Sequence, residues 1–148
     1  MTEEEITAYH EAGHAVAALV LSAGNVRASV ERDDQDRSWG RVNYIFSKTA
    51  PVSRAMIVYA GPAAAWRVME DSHRDKDGIE GNEAEELLDL IHDIEPDPAE
   101  LHPTLVAVGR MSEQLLDDHW ASVEKVAEAL LRSTSLNAAE LLSLHTEH

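Results

Sequence analysis

Apolar residues recur at helical spacing along most of the chain, interrupted early by two short alternating stretches. Thr2 and Glu5 form a Thr-x-x-Glu capping-box pattern, and Ala15 to Leu21 is an unbroken apolar run, which together predict a helix from about Glu3 to Leu21. Ser22-Ala23-Gly24-Asn25 supplies a stop. Val26 to Glu31 alternates, with Val26, Ala28 and Val30 on one side, and Gly40 to Phe46 is rich in β-branched and aromatic residues. These two stretches predict a hairpin or small sheet around the polar loop Asp33 to Asp36. Pro51 and Ser53 open a second helix through Met69, with Ala55, Ile57, Val58, Ala60 and Ala64 inward. Gly61-Pro62 is expected to kink or divide it. After the charged stretch Asp71 to Gly81, Asn82 is expected to cap a helix to about Asp93, with Leu87, Leu88 and Ile91 inward. Glu95-Pro96-Asp97-Pro98 ends that helix. Helices over 104–117 and 122–132 follow, then a short one capped by Asn137 and Glu140. There are no repeats or low-complexity tracts. The expected fold is mainly α (α+β): one helical domain over 1–148 with a small β element.

Composition narrows the function classes. Aromatics are 5% of the 148 residues, so the core must rely on Leu, Val and Ala. The net charge of −16 should repel nucleic-acid backbones and anionic lipid surfaces, so neither is an expected ligand. The absence of cysteine excludes disulfides and thiolate zinc sites and fits a reducing compartment. The apolar run near the start is far too short to span a membrane, and the first residues are acidic rather than basic. The expectation is a soluble, cytoplasmic protein; oligomeric state is not legible.

One motif carries chemistry. His10-Glu11-Ala12-Gly13-His14 places two histidines four apart, hence on one face of a helix, because four residues make slightly more than one turn. Neutral imidazoles suit Zn²⁺, and the intervening Glu11 can act as a base on the metal-bound water. A catalytic zinc takes three protein ligands and keeps one position for water. His73, His92, His102, His119, His145 and His148 are scattered, without paired spacing. Among carboxylates, Glu83 is favoured as the first residue after cap Asn82, near the positive end of its helix dipole. Asp77, Glu80 and Glu86 compete with it. Gly13 either permits close packing of the neighbouring strand or of substrate, or is simply a tolerated helix glycine.

Tyr9-His10-Glu11-Ala12-Gly13-His14-Ala15-Val16 resembles the signature of the FtsH-type peptidases, family M41. Gly40-Arg41-Val42-Asn43-Tyr44 resembles that family's strand beside the active site, and Tyr59 to Ala65 its Gly-Gly-Arg-x-Ala-Glu-Glu helix. Gly81-Asn82-Glu83 is similar to its Gly-x-Asn-Asp, whose final Asp is the third zinc ligand. Val126 to Leu131, with the helix from Asn137, is similar to its C-terminal end. The resemblance implies a helical metallopeptidase domain with zinc on His10, His14 and Glu83 and with Glu11 as base. Its implied activity is zinc-dependent endopeptidase cleavage of unfolded or short peptide substrates. Two departures stand out: glutamate replaces the family's ligand aspartate, and the family's membrane anchor and ATPase have no counterpart in these residues. The implied substrates are therefore already unfolded, short, or delivered by a separate ATPase or other partner. The alternatives are a catalytically inactive M41-like binding or regulatory module, and an acidic helical interaction protein in which the motif is accidental. The strand from Arg41 to Phe46 is either a docking edge for an extended substrate or simply a structural strand. Tyr44, Arg41 and His73 are all eligible as oxyanion donors, none singled out.

Overall fold

The computed structural model describes residues 2–21, 24–30, 41–45, 50–69 and 81–146. In chain order the elements are α1 (Glu3–Val20), β1 (Gly24–Ser29), β2 (Arg41–Ile45), α2 (Pro51–Val68), α3 (Gly81–Ile94), a 3₁₀ turn (Pro98–Glu100), α4 (Leu101–Asp118), α5 (Trp120–Ser133), β3 (Ser135–Leu136) and α6 (Ala138–Thr146). The protein is mainly helical with a small antiparallel sheet, as its periodicity predicts. No described helix is long and apolar enough to cross a membrane.

Helix α1 begins where the sequence says it must. The Thr2 hydroxyl accepts from the Glu5 amide, and the Glu5 carboxylate accepts from the Thr2 amide, so two otherwise orphaned donors are satisfied. At the other end of the chain, Asn137 and Glu140 make the same reciprocal pair ahead of α6. Between these ends α1 is the central element. Its residues from Glu11 to Ala18 are all buried, and it packs chiefly on α2 and α5.

The α1–α2 contact depends on small side chains. A Cβ at Gly13 would lie 2.5 Å from the Ala60 carbonyl oxygen and 2.7 Å from the Ala64 Cβ. The two helix backbones therefore nearly touch, with Ala60 and Ala64 on one side and Ala12 and Gly13 on the other. Close packing accounts for Gly13, but against helix α2 rather than the expected strand or substrate. The obstruction is largely main chain and cannot swing aside, so Gly13→Ala should cost about 1–3 kcal/mol despite its better helix propensity. A lowered urea midpoint at unchanged m-value is the expected readout.

Helix α2 corrects half of one expectation, the kink or division at Gly61-Pro62. Gly61-Pro62 does not divide it: one helix runs from Pro51 to Val68 with Pro62 inside. Proline removes the bond to the carbonyl four residues back, a cost of about 3 kcal/mol. Here Ala60 to Ala65 are all buried against neighbours, and that packing outweighs the lost bond. The inward positions Ala55, Ile57, Val58, Ala60 and Ala64 are buried as expected.

Helix α3 corrects two more. It begins at Gly81, so Asn82 lies inside its first turn rather than capping it, and Glu83 is its third residue. Leu87 and Ile91 are buried, but Leu88 is 51% exposed and Leu90 takes the inward place. A second, smaller apolar cluster results, joining Leu87, Leu90 and Ile91 to Ala55 and Val58 of α2 and Val108 of α4.

The sheet has strand order β2-β1-β3, with both pairings antiparallel. Ala28 opposes Val42 on one side and Leu136 on the other, and Val26 and Ala28 face the core. Thr134, at φ 60°, turns the chain out of α5 into β3. Its carbonyl accepts from the Val30 amide. Beyond the main apolar core, Tyr9 of α1 stacks on Trp120 of α5, and the Arg67 guanidinium of α2 lies 5.0 Å from that ring's centroid. Arg67 also donates to the Glu113 carbonyl and pairs with Asp117.

Candidate metal centre

Three side chains from two helices converge on one point. The Nε2 atoms of His10 and His14, one turn apart on α1, are 3.1 Å from each other. Each lies 2.8 Å from the same oxygen, Oε1 of Glu83. The imidazoles meet nearly edge to face, with centroids 4.8 Å apart. Among the described residues this is the one group of three or more metal-ligating side chains. Asp77, Glu80, His73 and His148 lie outside the described residues, as do the side chains of Arg41 and Tyr44. Glu86 is not part of the group, nor are His92, His102, His119 and His145.

Each element places its member for a physical reason. α1 supplies the two histidines because the four-residue interval aligns them. α2 fixes His14: the imidazole Nδ1–H donates to the Ile57 carbonyl at 2.7 Å in a buried contact. A carbonyl can only accept, so Nδ1 keeps its proton; Nε2–H then donates to Glu83, and its lone pair becomes available to a cation when that second proton leaves. α2 also makes room. A Cβ at Gly61 would clash with the His14 ring, closest to Nε2, then Cε1, with Cδ2 2.6 Å away. α3 brings Glu83 in its first turn, where the helix dipole favours a carboxylate.

The electrostatics express the same arrangement. Burial of His14 by itself would push its pKa down. The hydrogen bond to Glu83, then the charges of Glu11 and Glu83 and the Ile57 carbonyl, more than reverse this and raise it to about 9. Burial likewise pushes Glu83 up, but the hydrogen bonds from His10 and His14 and their charges hold it well below the usual carboxylate range. The cluster thus calls for positive charge at its centre, either protons or a cation.

A metal ion fits these donors. Tetrahedral zinc with bonds of about 2.0–2.1 Å sets its ligands roughly 3.3 Å apart, close to the 3.1, 2.8 and 2.8 Å found here. The Ile57 carbonyl acts as the outer partner that fixes the tautomer of a metal-binding histidine. The His10 and Glu83 side chains are partly exposed, so the cluster is open to solvent on one side. Glu11, between the histidines in sequence, is only 5% exposed. The His10-His14-Glu83 cluster can therefore hold a metal ion.

Removing Glu83 tests this set directly. Glu83→Ala should weaken zinc binding by more than the ~10–100-fold that loss of an outer-shell partner costs. Competition against a chromogenic chelator measures it. Unchanged affinity would mean that another carboxylate completes the site.

No protein-family model matches the chain, and no curated protein matches it either. The site must therefore be read from its own geometry. Sequence reasoning missed the Ile57 carbonyl and Gly61, the two features of α2 that seat His14. The one signal for them is the run of small residues from Ala60 to Ala65, which marks a close helix contact without saying what it touches.

Proposed function

We propose that this chain is a zinc-dependent endopeptidase of the FtsH (M41) type, cleaving peptide bonds in unfolded or short substrates. The observation that carries the reading is the convergence of His10, His14 and Glu83, from positions at least 69 residues apart on α1 and α3, with buried Glu11 between the two histidines. Zinc, when bound, supplies an acidified water and a Lewis acid for the carbonyl. His14, oriented by Ile57, would hold the ion together with His10 and Glu83. Glu11 takes the proton of the attacking water and returns it to the leaving amine. Its burial beside His14 keeps competing solvent away from the proton being moved. β2 is an edge strand of the described sheet, and it packs against α1. An extended substrate can add to it through main-chain hydrogen bonds, which tolerate varied sequence.

The cysteine-free, acidic chain suits the cytoplasm, with substrate arriving unfolded or handed over by a separate ATPase or other partner. The family's aspartate ligand is replaced here by glutamate, whose extra methylene is accommodated, since Glu83 already reaches both histidines. Protein purified without an affinity tag should carry about one zinc per chain, as a single three-ligand site implies, and should cleave casein. Chelation should suppress the cleavage and added zinc restore it. Bound zinc without any cleavage would favour the inactive M41-like module instead.

A further inference from the structure

Two histidines outside the metal centre lie ring to ring at a corner of the domain. His119 forms the junction between α4 and α5, and His145 belongs to the last turn of α6. Their rings are tilted at 47°, with centroids 5.5 Å apart. Both residues are half-buried. His145 is anchored on α5, its Nδ1 lying 3.2 Å from the Oγ of Ser122, a fully buried residue. The hydrolytic reading uses none of these three side chains.

The spacing is that of imidazoles sharing an ion. A ring bound through one nitrogen at about 2.0–2.1 Å has its centroid roughly 3.2 Å from the metal, so two such rings on a tetrahedral ion stand roughly 5.2 Å apart. The separation here is 5.5 Å, against 4.8 Å for His10 and His14. The Nδ1–H of neutral His145 can donate to the Ser122 hydroxyl, and that tautomer carries its lone pair on Nε2, as a metal ligand requires. We propose that His119 and His145 form a second metal site, in which a divalent transition ion clamps the end of α6 to the α4–α5 junction, with waters completing its coordination.

The donors select the class of ion. Two neutral imidazoles suit Cu²⁺, Ni²⁺ and Zn²⁺ rather than the oxygen-seeking Ca²⁺ or Mg²⁺, and Cu²⁺ ranks first in affinity. His119 caps the C-terminus of α4 and His145 sits at that of α6. Both helix dipoles favour a cation there, against one opposing dipole at the start of α5. The clamp has a mechanical consequence. α6 packs on α5, β1 and α1 with Leu141 fully buried, and a metal bridge adds a second tether near its far end. Two ligands grip an ion less firmly than three, so this site fills only when metal is added, and one zinc per chain remains the expectation for purified protein. The inference does not rest on the hydrolytic reading.

The test titrates Cu²⁺ alone into ¹⁵N-labelled protein, where paramagnetic broadening of amide resonances maps the bound ion. Amides around His119, Ser122 and His145 should broaden together, separately from those around His10 and His14. His119→Gln and His145→Gln should each raise the Cu²⁺ concentration needed at the junction by at least ~10-fold, and Ser122→Ala, which removes only the outer hydroxyl, by about 10-fold. Broadening around His10 and His14 should be the same in all three variants. Junction amides that stay sharp overturn the proposal, whatever happens at His10 and His14. So does a His119→Gln variant that binds like the parent, or a loss seen in His148→Gln instead, which would place the ion on the last residues of the chain. Should a variant lose the parent's circular dichroism, the parent map decides: broadening on both α5 and α6 supports the clamp, and broadening confined to His145 and the residues after it overturns it.

Discussion

Glu11→Gln protein should bind zinc as the parent does and hydrolyse casein at least ~10²-fold more slowly, the usual contribution of a positioned general base. Glutamine matches glutamate in shape, so the buried position beside His14 should be filled without repacking. What it lacks is the capacity to take a proton. The replacement also removes a negative charge that favours the imidazolium form of His14; the same charge attracts a divalent cation, so its two effects on metal binding oppose each other. Metal content by mass spectrometry and casein cleavage by fluorescence separate the two properties. Cleavage at the parental rate would remove Glu11 from the mechanism, and loss of the metal would recast it as structural.

The second large effect is expected at a residue with no side chain. Gly61→Ala should reduce zinc affinity by about 100-fold, the upper range for disturbing an outer-shell position, while leaving the helical circular dichroism in place. The new methyl would clash with the Nε2 edge of the His14 imidazole, the edge that faces the cluster. That ring is buried and tied to Ile57, so either it leaves the cluster or α1 and α2 separate locally. Gly13→Ala is the matched control. It strains the same helix contact, but against the backbone of α2 at Ala60, so it should lower stability with a smaller change in affinity. Equal losses of affinity in the two variants would show that general loosening, rather than displacement of His14, is responsible.

The parts of this molecule legible in its sequence are those set by local rules. Capping boxes at Thr2 and Asn137 and the alternation of Val26 and Ala28 each depend on a few neighbouring residues, and each appears where expected. The failures lie where a distant surface decides. Leu88 and Leu90 are equally apolar, and only the direction of α2 and α4 selects Leu90 for burial. Pro62 breaks helices in isolation, yet contacts along the whole buried face of α2 carry the helix through it. β3 is two residues long and cannot display a period; the open edge of β1 defines it. The candidate site divides in the same way. Its histidine pair follows from one turn of helix, whereas the approach of Glu83 depends on how α3 lies across α1 and α2, and several acids were eligible before the fold was known.

The Ile57 carbonyl already serves α2, accepting from the amide one turn on in the ordinary helical ladder, and it accepts from the His14 Nδ1–H as well. No codon change at position 57 deletes that acceptor, because every amino acid carries it. Anyone seeking to retune this centre by altering what its inner imidazole leans on must shift an entire rod of the scaffold, while the opposite flank, Glu83, yields to a single replacement. Adaptability of the centre is thus concentrated on its carboxylate side.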